Sequence, residues 1–358
     1  MANTLKVFRG KLFSEITEIP PLLQPSHVPS LDGLRGISII LVVAYHTLII
    51  NKYVYFNGIF GVQVFFVISG FIITTLLLKE QVKKKKISLF KFYTRRFLKI
   101  IPVAYLYLLV IVLLNSYYKF LALPDILSAV LFIKNTNIIH THWDAATGHF
   151  WSLSVEEQFY IVFPFILKKS VNTYMVIIGM LIVFIPILLN TDGGGGNAGL
   201  HIFLDFFRYI TPILTGALCS VLVFKKIITK KIYPNNIMTN LLLLLLSYEI
   251  YCGQGFLHVL CYKNFISSAL LAALIFNNIN YSKDLFFRLL NSKILAGIGV
   301  ASYSIYVWQQ VFLIWHPWQG AFAYSSAVWF NLLALSLVSF CSYYFIERKL
   351  AIIKSRFK

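Results

Sequence analysis

The sequence predicts an all-α, polytopic membrane helical bundle of about ten transmembrane helices with both termini cytoplasmic. Three observations predict it. Hydrophobic residues make up 58% of the 358 positions and charged residues only 13%, against about 25% charged in soluble domains. Apolar stretches of roughly 20 residues, the length that crosses a bilayer, recur from end to end. The cations behind the net charge of +19 gather in alternate connections, as in a multi-pass protein obeying the positive-inside rule. That distribution points to membrane lipid as the partner of the charge and away from nucleic acid.

Residues 1–30 read as a cytoplasmic lead-in. They carry Pro20, Pro21, Pro25 and Pro29 and lack the short apolar run and small-residue cleavage site of a signal peptide. Spans follow near 34–52, 59–79, 100–117, 152–167, 172–190, 203–224, 236–254, 258–278, 294–315 and 323–346. An eleventh apolar stretch, 124–138, is short and contains Pro124, Asp125 and Lys134. It reads as a re-entrant or surface helix. Ten spans place Lys83–Lys86, Lys91, Arg95, Arg96 and Lys99 in one cytoplasmic loop. Lys168, Lys169, Lys225, Lys226, Lys230, Lys231, Lys283, Arg288, Lys293 and the basic tail 349–358 then share that side. An eleventh span would break this alternation. No polar segment is long enough to bury a core of its own, so 31–348 is expected to be one membrane domain. Cys219, Cys252, Cys261 and Cys341 lie in or beside apolar segments without CxxC spacing, which argues against disulfides and zinc. Gly193–Gly196 lacks the Lys-Ser/Thr and strand–helix context of a phosphate loop and reads as a flexible connector.

Within the first span, Arg35 and His46 are eleven residues apart. Helical spacing puts them within roughly 20° of one face and about 16 Å apart along the axis. Arg35 falls at the membrane edge, near Asp32, and His46 near mid-membrane, where an ionisable group costs enough to mark a functional site. In the second span, Gln63 and Ser69 among small and aromatic residues read as helix packing. Lys83–Lys86 read as a lipid-facing run. Arg95, Arg96 and Lys99 have two readings, lipid contact or a grip on the phosphates of a cytoplasmic cofactor. The segment from His149 to Tyr160 brings Glu156 and Glu157 into a span, where carboxylates require partners or water. If helical, it sets His149 and Glu156 on nearly one face, with Trp151 and Tyr160 as interface anchors. His140, His142 and Asp144 have the look of metal ligands, but a lone HxH in a loop reads as solvated residues, so no metal is expected. Aromatic packing accounts for most of Ser302–Gln310, and Glu347 with Arg348 reads as an interfacial ion pair.

Taken in order over roughly residues 28–350, these segments resemble the acyltransferase-3 family of integral-membrane O-acyltransferases, members of which acetylate cell-surface polysaccharides. The resemblance is carried by Leu31-Asp32-Gly33-Leu34-Arg35-Gly36 with His46, by Phe65-Phe66-Val67-Ile68-Ser69-Gly70, and by Trp151-Ser152-Leu153-Ser154-Val155-Glu156-Glu157-Gln158-Phe159-Tyr160. The family's Arg-x10-His pair is matched by Arg35 and His46, and its basic Arg-x-x-Arg by Arg96-Phe97-Leu98-Lys99, where a lysine replaces the second arginine. Gln63 stands where many members carry an acidic residue, and Lys349 where proline is usual. There is no appended hydrolase-like segment, so the stand-alone form is expected.

The resemblance implies transfer of an acyl group, acetyl in the first instance, from cytoplasmic acyl-coenzyme A as donor substrate, with no permanently bound cofactor. The acceptor would be a hydroxyl of a sugar in a cell-surface polysaccharide or its lipid-linked precursor, and the location the cytoplasmic (inner) membrane. His46, Arg35 and Glu156 become the candidate catalytic residues, and Arg35, Arg95, Arg96 and Lys99 the donor-binding set. His149, Glu157 and Trp151 become candidate acceptor-binding residues. The alternative reading is a transporter or flippase of a lipid-linked glycan, which also buries ionisable groups along a path. Paired broken helices would favour it.

Overall fold

The computed structural model describes residues 10–25, 27–48, 57–139, 144–191, 198–229, 236–252, 263–279 and 281–357. Among them the chain is helical, with no strand. The helices are α1 (Pro29–Leu48), α2 (Ile59–Lys84), α3 (Leu89–Tyr118), α4 (Leu123–Val130), α5 (Phe150–Lys169), α6 (Val171–Thr191), α7 (Ala198–Phe207) and α8 (Thr211–Phe224). They continue as α9 (Ile237–Cys252), α10 (Lys263–Ile279), α11 (Leu285–Leu290), α12 (Lys293–Leu313) and α13 (Val328–Ser342). A π-turn, Tyr343–Glu347, joins α13 to α14 (Arg348–Ser355). Five helical segments among the described residues are long and apolar enough to cross a membrane: Pro29–Leu48, Ile59–Lys84, Leu89–Tyr118, Val171–Leu189 and Val328–Ser355. The chain is a multi-pass membrane protein.

Two local differences from the hydropathy reading have physical causes. The stretch 203–224 is not one helix. It breaks between α7 and α8 at 208–210, with Pro212 in the first turn of α8, where a missing N–H is harmless and a new helix is favoured. Residues 92–99, expected in a loop, belong to α3. Ser88 caps that helix by accepting from the Lys91 N–H at 3.4 Å, so Arg95, Arg96 and Lys99 ride on its first turns. The 124–138 stretch keeps only the eight-residue α4, far short of a span. The Gly193–Gly196 connector, Lys230, Lys231 and Cys261 lie outside the described residues.

The chain forms two compact units. The first comprises Met1–Arg35, Gln63–Ile87 and Phe159–Gly297. Inside it, α2 and α8 meet backbone to backbone. A Cβ on Gly70 would stand 1.9 Å from the Ile213 carbonyl oxygen, and one on Gly216 would stand 2.0 Å from that of Val67. Small residues at such crossings let helices associate where lipid removes the hydrophobic drive. A hydroxyl pair locks the crossing, Thr75 with Ser220, and Thr74 with Tyr174 ties α2 to α6, both at 2.8 Å. Gly216→Ala is therefore expected to lower the stability of this unit by about 1–3 kcal/mol. Thermal unfolding in detergent, followed beside Gly179→Ala, whose Cβ would meet nothing within 4 Å, checks it.

The second unit comprises Gly36–Val62, Ser88–Gln158 and Ile298–Lys358. The Tyr303 hydroxyl donates to the Ile100 carbonyl at 2.6 Å, tying α12 to α3. Ser304 bonds both Ser342 and the Glu347 carboxylate, tying α12 to α13 and the π-turn that follows it. The Arg348 guanidinium lies 5.1 Å from the Tyr344 ring centroid.

Candidate functional site

Most of the chemistry-bearing residues lie in the second unit, while Asp32 and Arg35 belong to the first. α1 is one unbroken helix carrying Asp32, Arg35 and His46. At its start the Arg35 guanidinium lies 3.8 Å from the Asp32 carboxylate, which also accepts from His27 Nε2 at 2.6 Å. Near its end, His46 is half-buried and bonded to Gln309 of α12: Nδ1 and Gln309 Oε1 are 2.5 Å apart. A carboxamide oxygen can only accept, so Nδ1 carries the ring proton. The other nitrogen, Nε2, then presents a lone pair. The bond to one ring nitrogen thus makes the other a base.

The next residue of α12 holds the second histidine. His149 precedes α5 and is 2% exposed. Its backbone N–H and Nδ1 both face Gln310 Oε1, at 3.2 and 2.9 Å, and its Nε2 lies 2.9 Å from the Val307 carbonyl oxygen. Each ring nitrogen faces an acceptor oxygen, and the neutral ring donates through one of them. The Tyr107 and Tyr306 rings meet this imidazole edge-on, at 5.3 and 5.6 Å between centroids. Tyr306 also donates to the His149 carbonyl at 3.2 Å and bonds Ser152 at 2.5 Å. Two adjacent glutamines on one helix therefore hold two histidines 103 residues apart in sequence, Gln309 being 0% and Gln310 1% exposed.

The loop leading to His149 is fixed by a buried ammonium. Lys134, whose side chain is 0% exposed, lies 2.8 Å from Asp125 Oδ1 and 2.7 Å from Asp144 Oδ2. Asp144 in turn accepts from the Ala146 and Thr147 N–H groups at 3.0 and 2.5 Å, as a short acidic side chain does at a turn. Burial would raise the Asp144 carboxyl, but the Lys134 ammonium and the Thr147 hydrogen bonds outweigh it and hold the group below its ordinary value. Asp144 is thus committed to a cation and a turn. His140 and His142, its companions in the HxH reading, lie outside the described residues, and among the described residues no three metal-ligating side chains cluster.

On α3, Arg95 donates through Nη1 to the Phe357 carbonyl at 2.7 Å. Arg96 sits over the Phe92 ring at 5.8 Å, and Lys99 follows one turn later on the same face. Glu157 of α5 is within electrostatic range of both Arg96 and Glu156, so the basic start of α3 and the acidic pair of α5 belong to one neighbourhood. Trp151 and Glu156 are half-buried. Tyr160 and Ser69, whose hydroxyls are 2.5 Å apart, lie in the first unit.

Sequence reasoning singles out His46 and His149 but assigns Gln309 and Gln310 to aromatic packing and treats Lys134 only as a residue that keeps 124–138 from being a span. A signal for the glutamines was present, since two consecutive amides inside an apolar span need partners.

Comparison with known proteins gives the family. A family model described as "Acyltransferase domain" (Acyl_transf_3) matches residues 28–347. O-acetyltransferase OatA of Staphylococcus aureus (strain NCTC 8325 / PS 47) is 24% identical over 368 residues, covering 93% of this chain and 58% of that protein. "Putative O-acetyltransferase SACOL0978" of Staphylococcus aureus (strain COL) is 27% identical over 308 residues, covering 79% of this chain and 50% of that protein. The chain thus spans little more than half the length of these relatives. No solved structure gives a significant match.

Proposed function

The chain belongs to this acyltransferase family, whose model covers residues 28–347, and on that premise we propose that it moves an acetyl group from cytoplasmic acetyl-coenzyme A to a sugar hydroxyl. The acceptor is a cell-surface polysaccharide or its lipid-linked precursor, reached from ten spans with both termini in the cytoplasm of an inner-membrane protein. The names of the relatives support acetyl as the acyl group. One observation carries the chemical reading: Gln309 Oε1 accepts from His46 Nδ1–H, so that in the neutral ring Nε2 is the free nitrogen and serves as the general base.

His46 removes the proton of the acceptor hydroxyl as its oxygen attacks the thioester carbonyl carbon. The carbon–sulfur bond then breaks, and the imidazolium returns its proton to the departing thiolate. In direct transfer the His46 Nε2 lone pair is the base, whereas in transfer through an acylated His46 the same lone pair is the nucleophile that displaces the thiolate before the acceptor hydroxyl takes the acyl group. Arg35, Arg95, Arg96 and Lys99 grip the phosphates of the donor, Arg in particular by its planar fork. Glu156, Glu157 and Trp151 face the acceptor. His149, with each ring nitrogen facing an acceptor oxygen, serves by holding the α5 entry against α12.

The decisive experiment incubates purified protein in nanodiscs with radiolabelled acetyl-coenzyme A and candidate glycans. Label in the glycan supports the reading. Glycan movement across vesicles with no label transferred overturns it in favour of a transporter. Within an active preparation, Arg35→Ala is expected to raise the KM for acetyl-coenzyme A about tenfold or more with a smaller change in kcat, because it removes uniform donor binding. An unchanged KM removes Arg35 from the donor site.

A further inference from the structure

Gln309 is used at only one end. Its carboxamide oxygen accepts from His46, while its Nε2, in a side chain that is 0% exposed, has no hydrogen-bond partner among the described residues. An orphaned buried donor costs about 1–3 kcal/mol, and in native proteins such a group calls for a reason. The neighbouring Gln310 uses its own carboxamide oxygen on His149, facing the backbone N–H and Nδ1. This free donor belongs to the carboxamide that touches the basic histidine.

We infer that Gln309 is a catalytic residue whose Nε2–H donates to the carbonyl oxygen of the bound acyl donor. This deepens the acyl-transfer reading and rests on it. As the acceptor oxygen bonds to the thioester carbon, its proton passes to His46 Nε2. The carbonyl electron pair moves onto oxygen, and the resulting oxyanion takes the Gln309 N–H. Collapse re-forms the carbonyl, expels the coenzyme A thiolate, and draws the proton back from His46 to sulfur. One carboxamide thereby serves both partners of the reaction: its oxygen sets the tautomer of the base, and its nitrogen meets the charge that develops on the other side of the bond being made. A donor waiting in a water-poor site is the arrangement that stabilises such an oxyanion best.

Three proteins test it: the unaltered chain, Gln309→Glu and Gln309→Met. Gln309→Glu keeps an acceptor for His46 Nδ1–H and removes the donor. Gln309→Met removes both. Each is assayed for kcat and for the KM of acetyl-coenzyme A, with thermal unfolding and gel filtration confirming a folded sample. Gln309→Glu is expected to lose about 100-fold in kcat with KM within a few-fold, the loss that follows removal of one oxyanion donor. Gln309→Met is expected to lose at least as much. Wild-type kcat in folded Gln309→Glu overturns the donor role, as does a loss confined to KM. Should Gln309→Glu fail to fold, Gln309→Met carries the test alone, and near-native kcat there overturns the inference. Absence of transfer in the unaltered chain would instead sink the acyl-transfer reading, so the two failures are distinguishable.

Discussion

Replacing His46 with alanine is expected to reduce acetyl transfer by at least about 1,000-fold while the protein still inserts and purifies. A positioned general base contributes about 10²–10⁴ in rate, and if His46 also carries the acyl group the loss is larger. The structural cost is smaller. The ring is half-buried, and its loss leaves Gln309 Oε1 without its donor, a deficit of about 1–3 kcal/mol. Yield, gel-filtration profile and thermal midpoint should thus stay close to those of the parent while transfer disappears. Activity within tenfold of the parent would remove His46 from the chemistry. His46→Asn is a useful companion, because an amide can still bond Gln309 yet cannot take a proton at neutral pH.

The second large effect concerns stability. Lys134→Met should destabilise the second unit by about 3–5 kcal/mol, the cost of leaving a buried charge without its partner. Two carboxylates, Asp125 and Asp144, are both within 2.8 Å of one ammonium, so losing it strands both beside each other. The combination Lys134→Met, Asp125→Asn and Asp144→Asn should recover much of the loss, since removing a whole buried ionic group is often nearly neutral. Thermal unfolding of the single and triple variants decides it; equal midpoints for the parent and Lys134→Met would show that the ionic cluster contributes nothing. The pH dependence has a fixed sign. The Asp144 carboxyl is held below its ordinary value in the fold, so its contribution is full above the unfolded carboxylate range, about pH 4, and declines as pH falls further. In Lys134→Met that acid-side decline should flatten or reverse.

Long apolar runs and the alternation of basic connections make the helical membrane fold legible in the sequence, because both follow from composition averaged over twenty residues. Finer events depend on single atoms. The break between α7 and α8 lies inside continuous hydrophobicity and turns on Pro212, which an averaging window passes over. The helical placement of Arg95 and Arg96 turns on the Ser88 cap. For the site, depth in an apolar span exposed His46, since an ionisable side chain there stands out alone. The partners of the two histidines lie 263 and 161 residues downstream, and no periodicity links them. Lys134 was equally hidden, as its carboxylates lie 9 and 10 residues away on either side in a segment without regular spacing.

The bond between Arg95 and the Phe357 carbonyl bears on how the protein is handled at the bench. A purification handle fused behind residue 358 changes the peptide that clamps this guanidinium and can pull it from the face of α3. Kinetic work on the donor site is therefore better served by a cleavable handle ahead of residue 10, with the tail left as it is.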